Sequence, residues 1–491
     1  NITMTNFFKN AAMAVLVALL SVSSSTNKSF SFNRIERFLA VLSLLKIVEK
    51  RKTFRRRLSL LYYAATRYKT TTTTVLKMNR KQLVNSVLVL FKTLTPKAVL
   101  KAALSKATEG ELKNIEKKIL GDGDPDANTC IPKMGFSKKE IFEKANVQRK
   151  RHEGFESGQK WGGIYHDDRS LPDLPEIQTH MWSQFHATNL LYPAVFPGAR
   201  KFEAEVVAMV LDMIHGKYGL LSSGGTESIL IAVLAYREQA RKERGIENPE
   251  IVSAVTAHPA LYKACQYFGV RLVKVPIDPV TFQMSLKHTE RALNSNTIAI
   301  YASVPTFTHG VIDDVESLSK LAQSRNIGLH VDNCLGGFLT SYMEKEGLLS
   351  TKPFDFRVPG VTTMSVDVHK YGFASKGVSV VAFRDASLRQ HSYMPSSDGC
   401  EGLYVTTTLQ GSRAGGVVAQ AWATLMHIGD EGYRNFAKQM YGVMQRVQKI
   451  VKSLEPNLRI LVSPDACIIP ITSDTIDIYK VAGMMEKRGW N

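Results

Sequence analysis

The stretch SVDVHKYGFASKG, Ser365–Gly377, closes a hydrophobic run with a His369–Lys370 pair and, past Tyr371 and Gly372, offers a second lysine, Lys376. An amine at the exit of an apolar, strand-like segment, directly after a histidine, calls for chemistry that uses it. Four further runs share the character of TTMSVDVHK (Thr362–Lys370). They are IVSAVTAH (Ile251–His258), TIAIYASVP (Thr297–Pro305), IGLHVDN (Ile327–Asn333) and VSVVAF (Val378–Phe383). Helical segments separate them. One starts near Ala199, carries Val206, Val207, Val210, Leu211 and Ile214 at helical spacing, and stops at Gly216. Near-continuous apolar strands alternating with helices predict an α/β fold on a mostly parallel sheet buried on both faces.

Ligands of such sheets bind beyond the carboxyl ends of the strands. His258, His309, Asp332 and the His369–Lys370 pair all fall there. Singly, each is most simply an ordinary polar residue; jointly, they mark a site. LLSSGGTESI, from Leu220, adds a glycine turn that opens a helix: Gly224 and Gly225 allow close backbone approach, and Thr226 can cap. Free N–H groups and the positive end of a helix dipole make such a turn a phosphate seat. It has neither the Walker lysine nor the three-glycine dinucleotide spacing, and by itself reads equally as a plain helix cap. Beside Asp332 and Lys370 it fits pyridoxal 5'-phosphate. That cofactor needs its phosphate held, its pyridine nitrogen kept protonated by a carboxylate, and its aldehyde joined to a lysine as a Schiff base. Lys370 supplies the amine, Asp332 the counter-ion, and His258 is the candidate to cover the ring face.

The net charge of +19 invites a nucleic-acid reading, but its distribution argues against one. Residues 1–120 hold 23 Lys and Arg against 5 Asp and Glu; residues 121–491 hold 40 against 39. A basic arm on a nearly neutral body fits a membrane surface better than a nucleic-acid cleft. In that arm AAMAVLVALLSVSSS, from Ala11, is apolar for about a dozen residues, short of the ~20 of a spanning helix. It reads as a cleaved signal or a short anchor, with EKRKTFRRR (Glu49–Arg57) holding its flank on the cytoplasmic side. FLAVLSLLKIV (Phe38–Val48) suits an interfacial helix, and Thr70–Thr74 a linker. The alternative is an untethered protein with a disordered basic tail. Cys130, Cys265, Cys334, Cys400 and Cys467 are scattered without a CxxC, so neither a disulfide framework nor a metal site is expected, and the compartment reads as reducing. The expected organisation is a basic anchor and linker over 1–120, an N-terminal segment of the catalytic unit over 121–200, a large cofactor-binding domain over 201–445, and the start of a small C-terminal domain over 446–491.

SSGGTESI, SAVTAHPALYKACQYFGV, PTFTHGVIDDV, LHVDNCLGGFL, DVHKYGFASKG and LQGSRAGGVVAQAWATLMHIGDEGY together resemble, in order and spacing, the sphingosine-1-phosphate lyases. These are pyridoxal-phosphate enzymes of fold type I related to the group II decarboxylases. The resemblance runs from about Gly154 to the end of the chain. It implies a large α/β domain with a small α/β C-terminal domain and a helical, basic N-terminal arm anchored in the endoplasmic reticulum membrane. The catalytic body would face the cytosol, as a homodimer. It assigns Lys370 to the Schiff base, Asp332 to the pyridine nitrogen, His258 to ring stacking and Gly225–Thr226 to the phosphate cup. It assigns Lys376 and Tyr165 to the substrate phosphate. Gly411, Ser412 and Arg413 fall in a loop that reaches the cofactor region, in these dimers often from the partner subunit. The implied reaction cleaves a phosphorylated sphingoid base to a fatty aldehyde and phosphoethanolamine. In it Lys370, once displaced by the substrate amine, is a candidate base because a desolvated lysine beside other cations has a lowered pKa.

The chain departs from the pattern in three places. Tyr192 stands where a phosphate-binding histidine is expected, Ala414 replaces a usual proline, and the chain stops at KRGWN, inside the small domain, as a fragment would; it also starts with Asn. Two other readings stand beside the lyase. A decarboxylase of glutamate or an aromatic amino acid would release carbon dioxide and has no distal phosphate for Lys376 and Tyr165 to hold. A non-catalytic family member would show no cofactor absorbance.

Overall fold

The computed structural model describes residues 130–490 apart from 152–157, 160–162, 166–168, 350–351 and 400–401, and in the preceding arm only 108–110 and 112. The arm's apolar runs, basic flank and threonine linker lie outside the described residues. Contacts divide the chain into 1–136 and 137–491, and the second unit holds the sheet and its helices.

Among the described residues of the second unit, three helices precede the sheet: α1 (Lys138–Lys150), α2 (Leu174–Phe185) and α3 (Pro197–Met213). The first begins with a capping box in which Ser137 and Glu140 satisfy each other's backbone N–H. A seven-stranded sheet follows, comprising β1 (Tyr218–Ser222), β2 (Glu250–Ala254), β3 (Arg271–Val275), β4 (Thr297–Ser303), β5 (Gly328–Asp332), β6 (Thr363–Asp367) and β7 (Ser379–Phe383). Between the strands come α4 (Gly225–Arg244), α5 (Pro259–Tyr267), α6 (Leu286–Ala292), α7 (Val315–Ser324) and α8 (Gly337–Lys345). The spatial order is β1-β7-β6-β5-β4-β2-β3. Pairings are parallel from β6 through β3, and β7 runs antiparallel to both its neighbours. The mostly parallel expectation holds, with β7 the exception for a chain-length reason. A parallel crossover takes a dozen or more residues, and only residues 368–378 join β6 to β7.

Alternation along the strands sorts side chains between two apolar layers. Val252, Ile300, Leu329, Val331, Met364 and Val366 pack with Val206 and Val210 of α3 and Phe338 and Leu339 of α8. Ile251, Ile298, Val381 and Phe383 pack on the opposite face with Ile229, Leu230 and Val233 of α4 and Leu261 of α5. Burial of each such side chain contributes roughly 1.5–3 kcal/mol. On the α4 face, at the carboxyl end, the alternation turns polar. Ser303, Asp332 and Ser365 are register neighbours across β4, β5 and β6, and Asp367, Ser379 and Ser222 across β6, β7 and β1.

Beyond the sheet come α9 (Ala386–Gln390), the hairpin β8 (Met394–Gly399) and β9 (Gly402–Thr406), and α10 (Gly415–Ser453). The last is broken at Gly429, where φ is +64°. This helix runs through position 445 and leads to the short pair β10 (Arg459–Ile460) and β11 (Ile471–Thr472), then α11 (Ile478–Glu486).

Candidate active site

The opening stretch forms the end of β6 and the turn to β7. Backbone N–H groups of Val368 and His369 both donate to the Val378 carbonyl, which closes the turn. The Lys370 Nζ lies 2.9 Å from Asp367 Oδ2, and His369 Nε2 lies 3.4 Å from the same oxygen. Gly377 and Val378 donate their N–H groups to His369 Nδ1, at 3.3 and 3.1 Å. That contact makes Nδ1 the acceptor and leaves the proton on Nε2, facing Asp367. Burial pushes the Asp367 carboxyl up, but the His369 hydrogen bond and the Lys370 charge outweigh it and hold it at about 2.

Asp332 ends β5 in a different setting. Tyr301 Oη donates to its Oδ2, while Ser365 Oγ and the Cys334 N–H donate to its Oδ1, each at 3.1 Å. Burial again acts upward, and the Tyr301 hydrogen bond leads the effects that bring the carboxyl below its ordinary value. Behind it His330 stacks on Tyr301 at 5.2 Å and meets Thr363 Oγ1 at 2.8 Å; burial brings its pKa down to about 4, so the ring is neutral. The carboxylate therefore stays ionised, with its hydrogen bonds coming from neutral donors.

His258 follows β2 and caps α5, its Nδ1 accepting from the Ala260 N–H at 3.2 Å, which fixes the ring's orientation. Gly224 and Gly225 open α4, whose first N–H groups have no intrahelical partners. A Cβ on Gly225 would stand 2.5 Å from Cys334 Sγ and 2.9 Å from Asp367 Oδ1, and one on Gly224 3.1 Å from His369. The turn thus lies directly on the strand-end residues, with Thr226 exposed above it. An amine, an ionised carboxylate and a glycine turn with free N–H groups make a set that fits pyridoxal phosphate.

Tyr165, His258, Asp332, Lys370 and Lys376 line one cavity of about 330 Å³, together with Ser303, Phe307 and Cys334. At its rim Lys376 Nζ lies 4.6 Å from the centre of the Tyr165 ring and donates to the His369 carbonyl at 2.9 Å. Burial, then the Lys370 charge, lowers the Lys376 pKa. Three residues read from the sequence lie elsewhere in this chain. His309 packs against Phe282 at 4.8 Å. Tyr192 is 55% exposed. Ser412 accepts a hydrogen bond from Asn189 at 2.9 Å, and its neighbour Arg413 pairs with Glu203. Gly411 and Arg413 line a separate, larger cavity of about 520 Å³ beside β1 and α3, which holds none of the residues expected to carry chemistry.

In the free amine of Lys370, burial lowers the pKa, but Cys334 and the Asp367 and Asp332 carboxylates raise it and prevail. The expected lowering concerns the lysine displaced by substrate, a different state from the free amine, which lies 2.9 Å from the Asp367 carboxylate. Sequence reasoning also gave no role to Asp367, Tyr301 or Ser365. Asp367 had a visible signal, a carboxylate inside an otherwise apolar strand.

The chain matches the pyridoxal-dependent decarboxylase conserved domain over residues 166–469. It is 37% identical over 409 residues to the sphingosine-1-phosphate lyase of Saccharomyces cerevisiae, covering 82% of this chain and 69% of that one. With the sphingosine-1-phosphate lyase of Dictyostelium discoideum it shares 39% identity over 381 residues, 76% of this chain and 70% of that one. Among solved structures, a sphingosine-1-phosphate lyase of Burkholderia pseudomallei superposes with a TM-score of 0.71 at 38% identity, covering 75% of this chain and 85% of that one. A glutamate decarboxylase of Lactobacillus brevis, at 19% identity and a TM-score of 0.61, shares the fold.

Proposed function

Because the chain belongs to the pyridoxal-dependent decarboxylase family and, within it, to the sphingosine-1-phosphate lyases, we propose that it cleaves phosphorylated sphingoid bases to a fatty aldehyde and phosphoethanolamine. The observation that carries this reading is the shared cavity, with Lys370 and Asp332 at its base and the Lys376–Tyr165 pair at its rim. Pyridoxal phosphate, when bound, supplies the electron sink for the carbanion left by carbon–carbon cleavage. Lys370 provides the amine for the covalent link. Asp332, oriented by Tyr301, Ser365 and the Cys334 N–H, would keep the pyridine nitrogen protonated. Gly224, Gly225 and Thr226 seat the cofactor phosphate on backbone N–H groups, with His369 packed beneath Gly224. His258 covers the ring. Lys376 and Tyr165 bind the substrate phosphate, a group that an amino-acid decarboxylase has no cause to recognise.

The same reading includes a homodimer and a membrane-anchored arm. Its support for the dimer is the family resemblance, which assigns Ser412 and Tyr192 to the site, while both lie outside the cavity lining of their own chain. For the arm it is the concentration of positive charge in residues 1–120 beside an apolar run, which suits the cytosolic side of the endoplasmic reticulum membrane. Among the described residues no helix is long and apolar enough to cross a membrane. Product analysis tests the activity. Incubation with a phosphorylated sphingoid base is expected to yield fatty aldehyde and phosphoethanolamine in equal amounts. Carbon dioxide from glutamate or an aromatic amino acid, with no aldehyde from the phosphorylated base, would replace this reading by the decarboxylase one.

A further inference from the structure

Asp367 closes β6 at 2% exposure, and its two oxygens are used unequally. Oδ2 takes both Lys370 Nζ and His369 Nε2. Oδ1 is buried and, among the described residues, has no hydrogen-bond partner. The carboxylate lies immediately under the phosphate turn, since a Cβ on Gly225 would come within 2.9 and 3.0 Å of its oxygens. His369 is not free to take over its role, because two backbone N–H groups fix Nδ1 as an acceptor and Nε2 as the donor toward Asp367.

From this geometry we infer that Asp367 is the seat of Lys370 whenever the lysine is not joined to the cofactor, holding the amine as an ammonium beneath the Gly224–Thr226 turn. The inference rests on Lys370 being the cofactor lysine, as proposed above, and adds Asp367 to the site as a positioning residue. A partly buried amine without a carboxylate holds its proton less firmly and ranges over the rotamers of a four-carbon stem. Paired with Asp367, it is held in one place, at the end of β6. Every charged or titratable neighbour counts in this balance. Lys370 faces Asp367, His369 and Lys376 from its own turn and Asp332 and Cys334 from the end of β5. Tyr165 and Cys467 face it from other segments. Cys334 and the two carboxylates prevail over burial, and the proton affinity of the amine is raised.

The test reads the amine itself. The full chain is stripped of pyridoxal phosphate, trace-labelled with acetic anhydride at stepped pH, and digested. Mass spectrometry then follows acetylation of Lys370 against the exposed Lys287. In the wild type the midpoint for Lys370 is expected above ~10.4, the ordinary lysine value. Asp367→Asn, which keeps the shape of the side chain, is expected to lower that midpoint by about 1–3 pH units. A wild-type midpoint at or below the ordinary value overturns the inference even if the variant does not fold, and so does a folded Asp367→Asn protein with an unchanged midpoint. Neither substrate nor turnover enters this measurement, so failure of the lyase reading shows in product analysis and leaves this result standing.

Discussion

Two buried carboxylates end adjacent strands, and the chain treats them in opposite ways. Asp332 is surrounded by neutral donors, Tyr301, Ser365 and the Cys334 N–H, and keeps its charge available for something that is not part of the protein. Asp367 is met by the chain's own donors, Lys370 and the Nε2–H of His369, so its charge is spent internally. Both carboxyls lie below their ordinary pKa despite burial. Equal ionisation therefore does not mean equal function: the identity of the partner separates a residue that acts on a cofactor from one that positions a side chain.

Asp332→Asn should separate the two most sharply. The amide still accepts from Tyr301 but cannot hold a proton on a pyridine nitrogen, so turnover should fall by about a thousandfold or more while pyridoxal phosphate remains bound. Steady-state kinetics with cofactor absorbance measured in parallel checks this, and a loss under tenfold would remove Asp332 from the role. Lys376→Ala comes next. It deletes a charge-assisted contact of roughly 1.5–3 kcal/mol at the rim, so kcat/KM should drop about tenfold to a hundredfold with cofactor content unchanged. Tyr165→Phe should do the same more weakly. Equal kcat/KM in wild type and Lys376→Ala would return the decarboxylase reading to contention.

The smallest effect concerns acid stability. The folded value for Asp367, about 2, lies below the ordinary 3.8. Its ionisation therefore contributes stability that is fully present above the ordinary value and is lost as pH falls through 2. Thermal melts should show a Tm gap between wild type and Asp367→Asn that is full at about pH 6 and narrower at about pH 3. A gap that stays constant over that range would mean that the ion pair does not couple to folding.

Much of this arrangement was legible in the sequence, and what was not has physical causes. β4, β5, β6 and β7 are flanked on both sides and read as continuous apolar runs. β1 and β3 sit at the two edges of the sheet, and their half-buried residues, YGLLS and RLVKV, carry no such signal. The reversal of β7 leaves no mark in composition; only the brevity of its connection to β6 betrays it. Lys370, Asp332 and His258 announced themselves because polar residues at strand ends stand out. Tyr301 did not, since a tyrosine within a strand reads as core, and only register places its hydroxyl on Asp332. Ser412 and Tyr192 came from family resemblance alone, and within one chain the fold does not bring them to the cavity.

The central claim is that Lys370 is the residue joined to the cofactor, and one measurement addresses it directly. The protein is loaded with pyridoxal phosphate, reduced with borohydride and digested, and the pyridoxyl group is located by mass spectrometry. The mark is expected on the peptide carrying Lys370, and Lys370→Ala should lose both the mark and turnover. A pyridoxyl group on Lys376 or on any other lysine, or its retention by the Lys370→Ala protein, would contradict the account.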